Sequence, residues 1–319
     1  MPAARIVVVG AGLSGTACAR VLALAGHAVQ VRERGRVVGG RAASRTLAGR
    51  RVDLGASYLT ARDEGFRAVV DGWVARGLAF PWAESFAVRE PDGWRTTSRG
   101  PVRYRTPGGI RTLVEDLAAG LDVRLSSPVH AVGPGPEVDG ERVDAVVLAL
   151  PDPQAEPLLA PALEQERATV TGREWEPVVA LAAGFDVRGW DLDGCFVDPA
   201  APGGDVLAWV ADDGRRRGDG APVLVAHSTS TFAGRHLRAP DDAGPDMTVA
   251  VRALLDLPAP AWTAVHRWSL ARPAQARDAS FFLGDAGVGL CGDGWGSPRA
   301  ETAWVSGTRL GQALVDRLG

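Results

Sequence analysis

The chain has 319 residues, 46% of them hydrophobic, and a formal net charge of −3. It can therefore bury a sizeable core, and it lacks both the basic excess of a nucleic-acid binder and the composition of a disordered segment. All 35 fixed positive charges are arginines, because the sequence contains no lysine, which excludes Schiff-base chemistry, pyridoxal-phosphate enzymes and the lysine-dependent phosphate loop together.

Other scarce residues narrow the field further. The three cysteines, Cys18, Cys195 and Cys291, are few and widely spaced, which argues against a disulfide framework or a zinc site. The five histidines are scattered without metal-ligand spacing, so no metal is expected. No asparagine is present to accept a glycan. The start of the chain has no signal-peptide pattern, and no apolar run approaches the ~18 residues of a membrane span. A cytoplasmic protein with neither nucleic-acid nor membrane partners is the expectation.

The first element is Ile6-Val7-Val8-Val9, a β-branched run suited to a strand buried on both faces. Gly10-Ala11-Gly12-Leu13-Ser14-Gly15 follows at once, then a helical stretch to Gly26, then a second strand over Ala28–Arg32 ending at Glu33. This is the pattern of a dinucleotide site. Gly10 allows the tight turn, Gly12 lets backbone approach a diphosphate, and Gly15 lets helix and strand pack closely. The helix start offers N–H groups and a positive dipole end, and Glu33 is placed for a ribose hydroxyl. The segment by itself leaves NAD and FAD both open.

Past Glu33, Gly39-Gly40-Arg41 combines a close-approach backbone with a guanidinium fork suited to phosphate. Residues 53–58 (DLGASY) read as a loop of small residues, including Gly55, against which a flat ring can lie. Residues 122–132 and 143–150 are strand-like, separated by the turn Gly133-Pro134-Gly135-Pro136. In the second half, residues 178–185, 206–210 and 223–228 read as strands of a mixed sheet, and 235–245 as a loop. Near the end, an apolar strand over residues 288–291 runs into Gly292-Asp293-Gly294. Ser297 and Pro298 fit the cap and first position of a helix whose stripe is Ala303, Gly307, Leu310 and Leu314. A second glycine-lined turn at a helix start favours FAD over NAD, since NAD dehydrogenases do not need one.

The blocks together resemble the renalase-like branch of the flavin amine oxidase superfamily, above all its bacterial members. They run nearly end to end: the glycine fingerprint with Glu33; Gly39-Gly40-Arg41; residues 53–62 (DLGASYLTAR); Gly109-Ile110 through Leu113; residues 146–155 (VVLALPDPQA); Leu207-Ala208-Trp209; His266-Arg267-Trp268; and residues 290–310 (LCGDGWGSPRAETAWVSGTRL). The resemblance implies an α/β fold, a Rossmann-type FAD-binding domain with a discontinuous mixed-sheet substrate domain of the flavin amine oxidase and p-hydroxybenzoate hydroxylase type. Residues 1–64, 108–155 and 285–319 form the first, and 65–107 and 156–284 the second. It implies non-covalent FAD held by Gly12, Leu13, Ser14, Glu33, Arg34, Arg41, Ala56, Ser57, the backbone of Val129, Asp293, Glu301, Thr302 and Ala303. The helix start near Thr302 is then directed at the flavin's pyrimidine carbonyl, where its dipole favours negative charge.

The sequence also departs from that pattern. Ser57 stands where a glutamine is usual, Val37 where a glycine is usual, and Asp212-Asp213 and Ser269-Leu270 replace other residues in the substrate half. No catalytic residue is assigned by sequence. His227 faces a ligand or is a satisfied core histidine, and Trp209, Trp268 and Trp295 wall the cavity or pack the core. Tyr58 lies beside the expected flavin loop. Many amine oxidases of the superfamily use a lysine to hold a water near the flavin, and this chain has none. That favours oxidation of isomeric dihydronicotinamide dinucleotides to NAD(P), with dioxygen reduced to hydrogen peroxide. An FAD amine oxidase or desaturase of a pathway-specific metabolite, and a non-catalytic flavin scaffold, are the alternatives.

Overall fold

A computed structural model describes residues 3–97 and 99–319 of the chain. The glycine fingerprint begins a six-stranded sheet, in the order Phe282–Leu283, Val288–Leu290, Ala145–Leu148, Arg5–Val9, Ala28–Arg32, Asp122–Arg124. All neighbours are parallel except the first pair. Arg5–Val9 and Ala145–Leu148 lie at its centre, and their β-branched and small side chains are buried on both faces. The helix Leu13–Leu24 and the C-terminal helix Ala300–Leu318 pack on each other where side chains are missing. A Cβ at Gly307 would stand 2.0 Å from the carbonyl oxygen of Ser14, and one at Gly311 2.9 Å from Val21. Those glycines let the two ends of the chain close on one another.

The second sheet has seven strands, in the order Trp262–Pro273, Trp175–Gly184, Val223–Ser228, Leu207–Asp212, Gly194–Val197, Ala87–Glu90, Gly93–Thr96. Only Gly194–Val197 and Ala87–Glu90 run parallel. Alternate residues go to opposite faces. Val179, Leu181, Leu224 and Ala226 pack under the helices Ser230–Arg235 and Ala243–Leu255, while Ala180, Ala182, Val223 and Val225 pack against Val52 and Leu54. The second face is the one turned toward the six-stranded sheet's loops.

Several expected bounds shift. Of residues 122–132 only Asp122–Arg124 and then Val132–Gly133 are extended. The Gly/Pro-rich turn after Val132 belongs to a small meander with Glu137–Val138 and Glu141–Arg142, not to a plain connection. The expected loop over 235–245 ends early, because Ala243 already starts a helix with Pro245 in its first turn, where a missing N–H costs nothing. The C-terminal helix starts at Ala300 with Arg299 as its cap, not at Ser297 and Pro298. Among the described residues no helix is long and apolar enough to cross a membrane.

Candidate active site

The glycine-rich turn is built as its spacing requires. Gly10 has φ +103 and donates its N–H to the carbonyl of Arg32 at 2.8 Å, a conformation that disfavours a side chain. Gly15 is packed so tightly that a Cβ would lie 2.0 Å from the oxygen of Gly10. Gly12 differs, since nothing stands within 4 Å of where its Cβ would be. It caps the helix beginning at Leu13 and Ser14 without a side-chain bond, so the helix start keeps its N–H groups and positive dipole end directed at that open space. Glu33 accepts from the N–H of Ala11 at 2.9 Å and of Gly35 at 2.7 Å, which fixes its carboxylate over the turn. Gly40 lies 3.5 Å from the Cα of Gly12 by the same Cβ measure, and Arg34 is exposed beside Glu33.

The far end of the chain arrives at the same place. Ser14 Oγ donates to Cys291 Sγ at 2.9 Å, and Gly292 N–H donates to Ser306 Oγ at 3.0 Å. Gly292 has φ +153 and, like Gly12, open space where a Cβ would point. The Val129 backbone takes part in no hydrogen bond among the described residues. The first turn of the helix at Ala300, with Glu301 and Thr302, has no side-chain cap, while the Ala303 N–H already donates to the Arg299 carbonyl at 3.1 Å. These bare donors and open glycines fit a diphosphate with a nucleotide on one side and a flat ring on the other.

Three side chains are used differently from the sequence expectation. Arg41 forms a two-pronged ion pair with Asp293, both contacts 2.7 Å, donates to the Ala271 carbonyl at 3.2 Å and lies 4.8 Å over the Trp175 ring. Its fork is therefore spent on joining the two turns, not left free for phosphate. Glu301 Oε1 accepts from the N–H groups of Arg62 and Asp63, so the carboxylate ties down the loop before the next helix. Ser57 Oγ accepts from the indole N–H of Trp209 at 3.0 Å.

That last contact belongs to a larger arrangement. The backbone of residues 53–57 is held from the seven-stranded sheet and its adjoining helix by a set of side-chain donors. His227 Nε2 meets the Leu54 carbonyl at 3.1 Å, and Trp268 Nε1 donates to the same oxygen at 2.8 Å. Arg216, 1% exposed, donates to the Asp53 and Ser57 carbonyls, each at 3.1 Å, and to the Asp213 carboxylate at 2.5 Å. Gly55 can touch Arg41 and Trp268 only because it lacks a Cβ, and the Ala56 N–H donates to the Arg41 carbonyl at 3.0 Å. Burial pushes His227 down to about 4, with the Arg216 charge adding to it, so the ring is neutral and serves as a donor. Burial penalises the Asp213 carboxylate, yet Arg216 and Arg217 outweigh it and hold its pKa below the ordinary value. Arg217 in turn pairs with Asp53 at 2.7 Å.

Comparison with known proteins decides what such a cleft belongs to. The NAD(P)-binding Rossmann-like domain family matches residues 8–73, and the flavin containing amine oxidoreductase family matches residues 74–313, most of the chain. This chain is a member of the flavin containing amine oxidoreductase family. The same fold occurs in a proposed protoporphyrinogen oxidase from Exiguobacterium sp. 255-15, with TM-score 0.78 and 14% identity, covering 99% of this chain and 100% of that one. It occurs too in wild-type putrescine oxidase bound to putrescine, with TM-score 0.76 and 15% identity over 98% and 99% of the two chains. The protein is an FAD-dependent oxidoreductase with a Rossmann-type domain.

The fold brings Tyr58, Trp209 and Phe86 together next to residues 53–57. Tyr58 lies 5.4 Å from Phe86 and 5.9 Å from Trp209 between ring centroids, in tilted and edge-on arrangements. Trp295 lies apart from them. Arg277 sits 4.2 Å over its ring and pairs with Asp152, which accepts from Trp175 Nε1 at 2.9 Å. Trp295 is thus packing beneath the Gly292 turn. Sequence reasoning missed Arg216, Arg217 and Arg277. The adjacent Asp212-Asp213 departure was the available signal for the first two; nothing local marks Arg277.

Proposed function

We propose that this enzyme oxidises isomeric dihydronicotinamide dinucleotides to NAD(P), with dioxygen taking the electrons as hydrogen peroxide. One observation carries the reading: among the described residues, the ionisable side chains where the sheet meets residues 53–57 are already engaged, Asp53 by Arg217, Asp213 by Arg216 and Arg50, and His227 by the Leu54 carbonyl. His227 is committed as a donor to Leu54 and is neutral down to about pH 4. Tyr58 is set among aromatic rings, and the sequence has no lysine. An alkylammonium must lose a proton before it can give up hydride. A dihydropyridine needs no such step, because its ring nitrogen is already neutral and loss of hydride makes the ring aromatic.

FAD, when bound, supplies the two-electron acceptor and passes those electrons on to dioxygen. The hydride's electron pair and proton, one solvent proton and one dioxygen balance to one hydrogen peroxide. The chain's own part is placement. Residues 53–57 are fixed to the sheet, Gly12 and Gly292 admit backbone contact, and the start of the Ala300–Leu318 helix favours negative charge nearby. The Cys291 thiol, pushed up to about 12 by burial and only partly eased by Ser14, stays protonated, in keeping with a non-covalent flavin. The reading includes the division into an FAD domain (1–64, 108–155, 285–319) and a substrate domain (65–107, 156–284).

The test is anaerobic rapid mixing of the yellow protein with isomeric dihydronicotinamides and with ordinary NADH. The isomers are expected to bleach the flavin far faster. Equal or slower bleaching by the isomers ends the proposal, and peroxide production from an amine panel replaces it with an amine oxidase.

A further inference from the structure

We propose that Arg103 is the recognition point for a negatively charged arm, carboxylate or phosphate, on a ring-bearing substrate. Arg103 lies on the short strand Arg103–Arg105, which pairs with Phe80–Ala83 at the edge of the aromatic group formed by Tyr58, Phe86 and Trp209. Its guanidinium carbon is 4.5 Å from the Phe86 ring centroid and 5.7 Å from that of Tyr58. Tyr58 directly follows Ser57, which is bonded to Trp209. The arginine therefore stands on the aromatic wall that continues from the flavin loop.

What sets Arg103 apart is that, among the described residues, no carboxylate answers its charge. Its Nε and Nη1 are buried without a hydrogen-bond partner. The neighbouring Arg95 and Arg99 are paired with Glu90 and Glu84, but among the described residues no carboxylate pairs with Arg103. Cation–π contact with two rings offsets part of its desolvation but satisfies no N–H. A buried guanidinium donor without an acceptor is costly, which is the signature of a group whose partner comes with the ligand. The planar fork suits a carboxylate or phosphate oxygen pair, and the flanking rings suit a flat ring next to it.

The same wall is poorly built for a cationic substrate. The acid that touches it, Asp193, already accepts from Trp82 Nε1 at 3.2 Å and lies 3.7 Å from Arg215. A diamine would find an uncompensated positive charge there in place of a carboxylate. The inference deepens the dihydronicotinamide reading, since dinucleotides carry phosphates, but it holds for any ring with acidic arms.

The experiment is calorimetric titration of the FAD-loaded protein with three probes: NAD+ for a phosphate arm, protoporphyrin for carboxylate arms on a flat ring, and putrescine for a cation. The expected result is binding of NAD+ or protoporphyrin in preference to putrescine. Arg103→Gln should weaken that binding about ten- to hundredfold, and Arg103→Lys should keep much of it. Binding of the anion to wild type should weaken as salt rises, a measurement that stands even if Arg103→Gln fails to retain flavin. Tighter binding of putrescine, no binding of either anion, or anion binding indifferent to salt or to Arg103→Gln overturns the proposal. Arg103-dependent protoporphyrin binding without bleaching by dihydronicotinamides would keep the anion subsite and remove the nicotinamide donor.

Discussion

Replacing Arg216 with alanine probes the joint between the two sheets directly. The guanidinium donates to two buried backbone carbonyls, of Asp53 and Ser57, and to Asp213, itself 0% exposed. Each carbonyl left without a donor costs about 1–3 kcal/mol, and breaking a buried ion pair about 3–5 kcal/mol. Asp213 keeps Arg50 at 2.6 Å and Arg217 at 3.6 Å, so its share is reduced, and the expected total loss is about 3–5 kcal/mol. Reversible urea unfolding of the flavin-free protein measures that loss, and fluorescence titration measures the FAD dissociation constant of the folded variant. Arg216→Lys keeps the charge but lacks the planar span between the two carbonyls, so it should fall between wild type and alanine. A loss below about 1 kcal/mol would show that the bonds are not holding the loop. Unchanged FAD affinity in a destabilised variant would show that the loop is no part of the flavin seat.

Two glycines separate folding from cofactor binding. Gly12→Val points into open space and should leave the unfolding midpoint nearly unchanged while reducing FAD content of the purified protein by more than about tenfold; Gly307→Ala forces a Cβ to 2.0 Å from the Ser14 oxygen and should cost about 1–3 kcal/mol or more of stability. If Gly12→Val retains full flavin, the open space is not its seat. His227 makes stability depend on pH. Its folded pKa, about 4, is below the ordinary 6.5, so its contribution is complete above about pH 6.5 and is lost as pH falls toward 4. Relative to His227→Gln, wild type should lose up to about 3 kcal/mol over that window, and parallel pH profiles for the two proteins would contradict the assignment. Burial pushes Cys195 up to about 11 and Cys291 up to about 12 and also raises Cys18, so a thiol reagent near neutral pH should label none of them until the protein is unfolded. Rapid labelling of the native protein would refute this.

The parts legible in the sequence are those whose chemistry is local. Arg5–Val9, the turn after it and the helix from Leu13 follow from a β-branched run and glycine spacing, and Val223–Ser228 follows from an apolar run. The meeting of the Gly12 and Gly292 turns was legible only through the family resemblance, since no local signal relates the two ends of a chain. The C-terminal helix start was misplaced because Ser297 and Pro298 have the right residue types, whereas Thr302 Oγ1 bonds back to the Ser297 carbonyl and keeps that segment outside the helix. The Arg41–Asp293 pairing was hidden for a different reason. Each residue alone suits a ligand, and only the fold shows that they neutralise each other. His227, Trp209 and Trp268 read as cavity residues or core, yet they act as donors to one short segment, His227 and Trp268 to the Leu54 carbonyl and Trp209 to the Ser57 hydroxyl, a role that depends on register across strands.

That shared segment has a practical side. Because Trp209, His227, Trp268 and Arg216 all grip residues 53–57, a molecule that shifts the sheet by a fraction of an ångström must drag that segment along with it. If the flavin sits against that segment as proposed, its absorption spectrum should shift on ligand docking before any electron has moved.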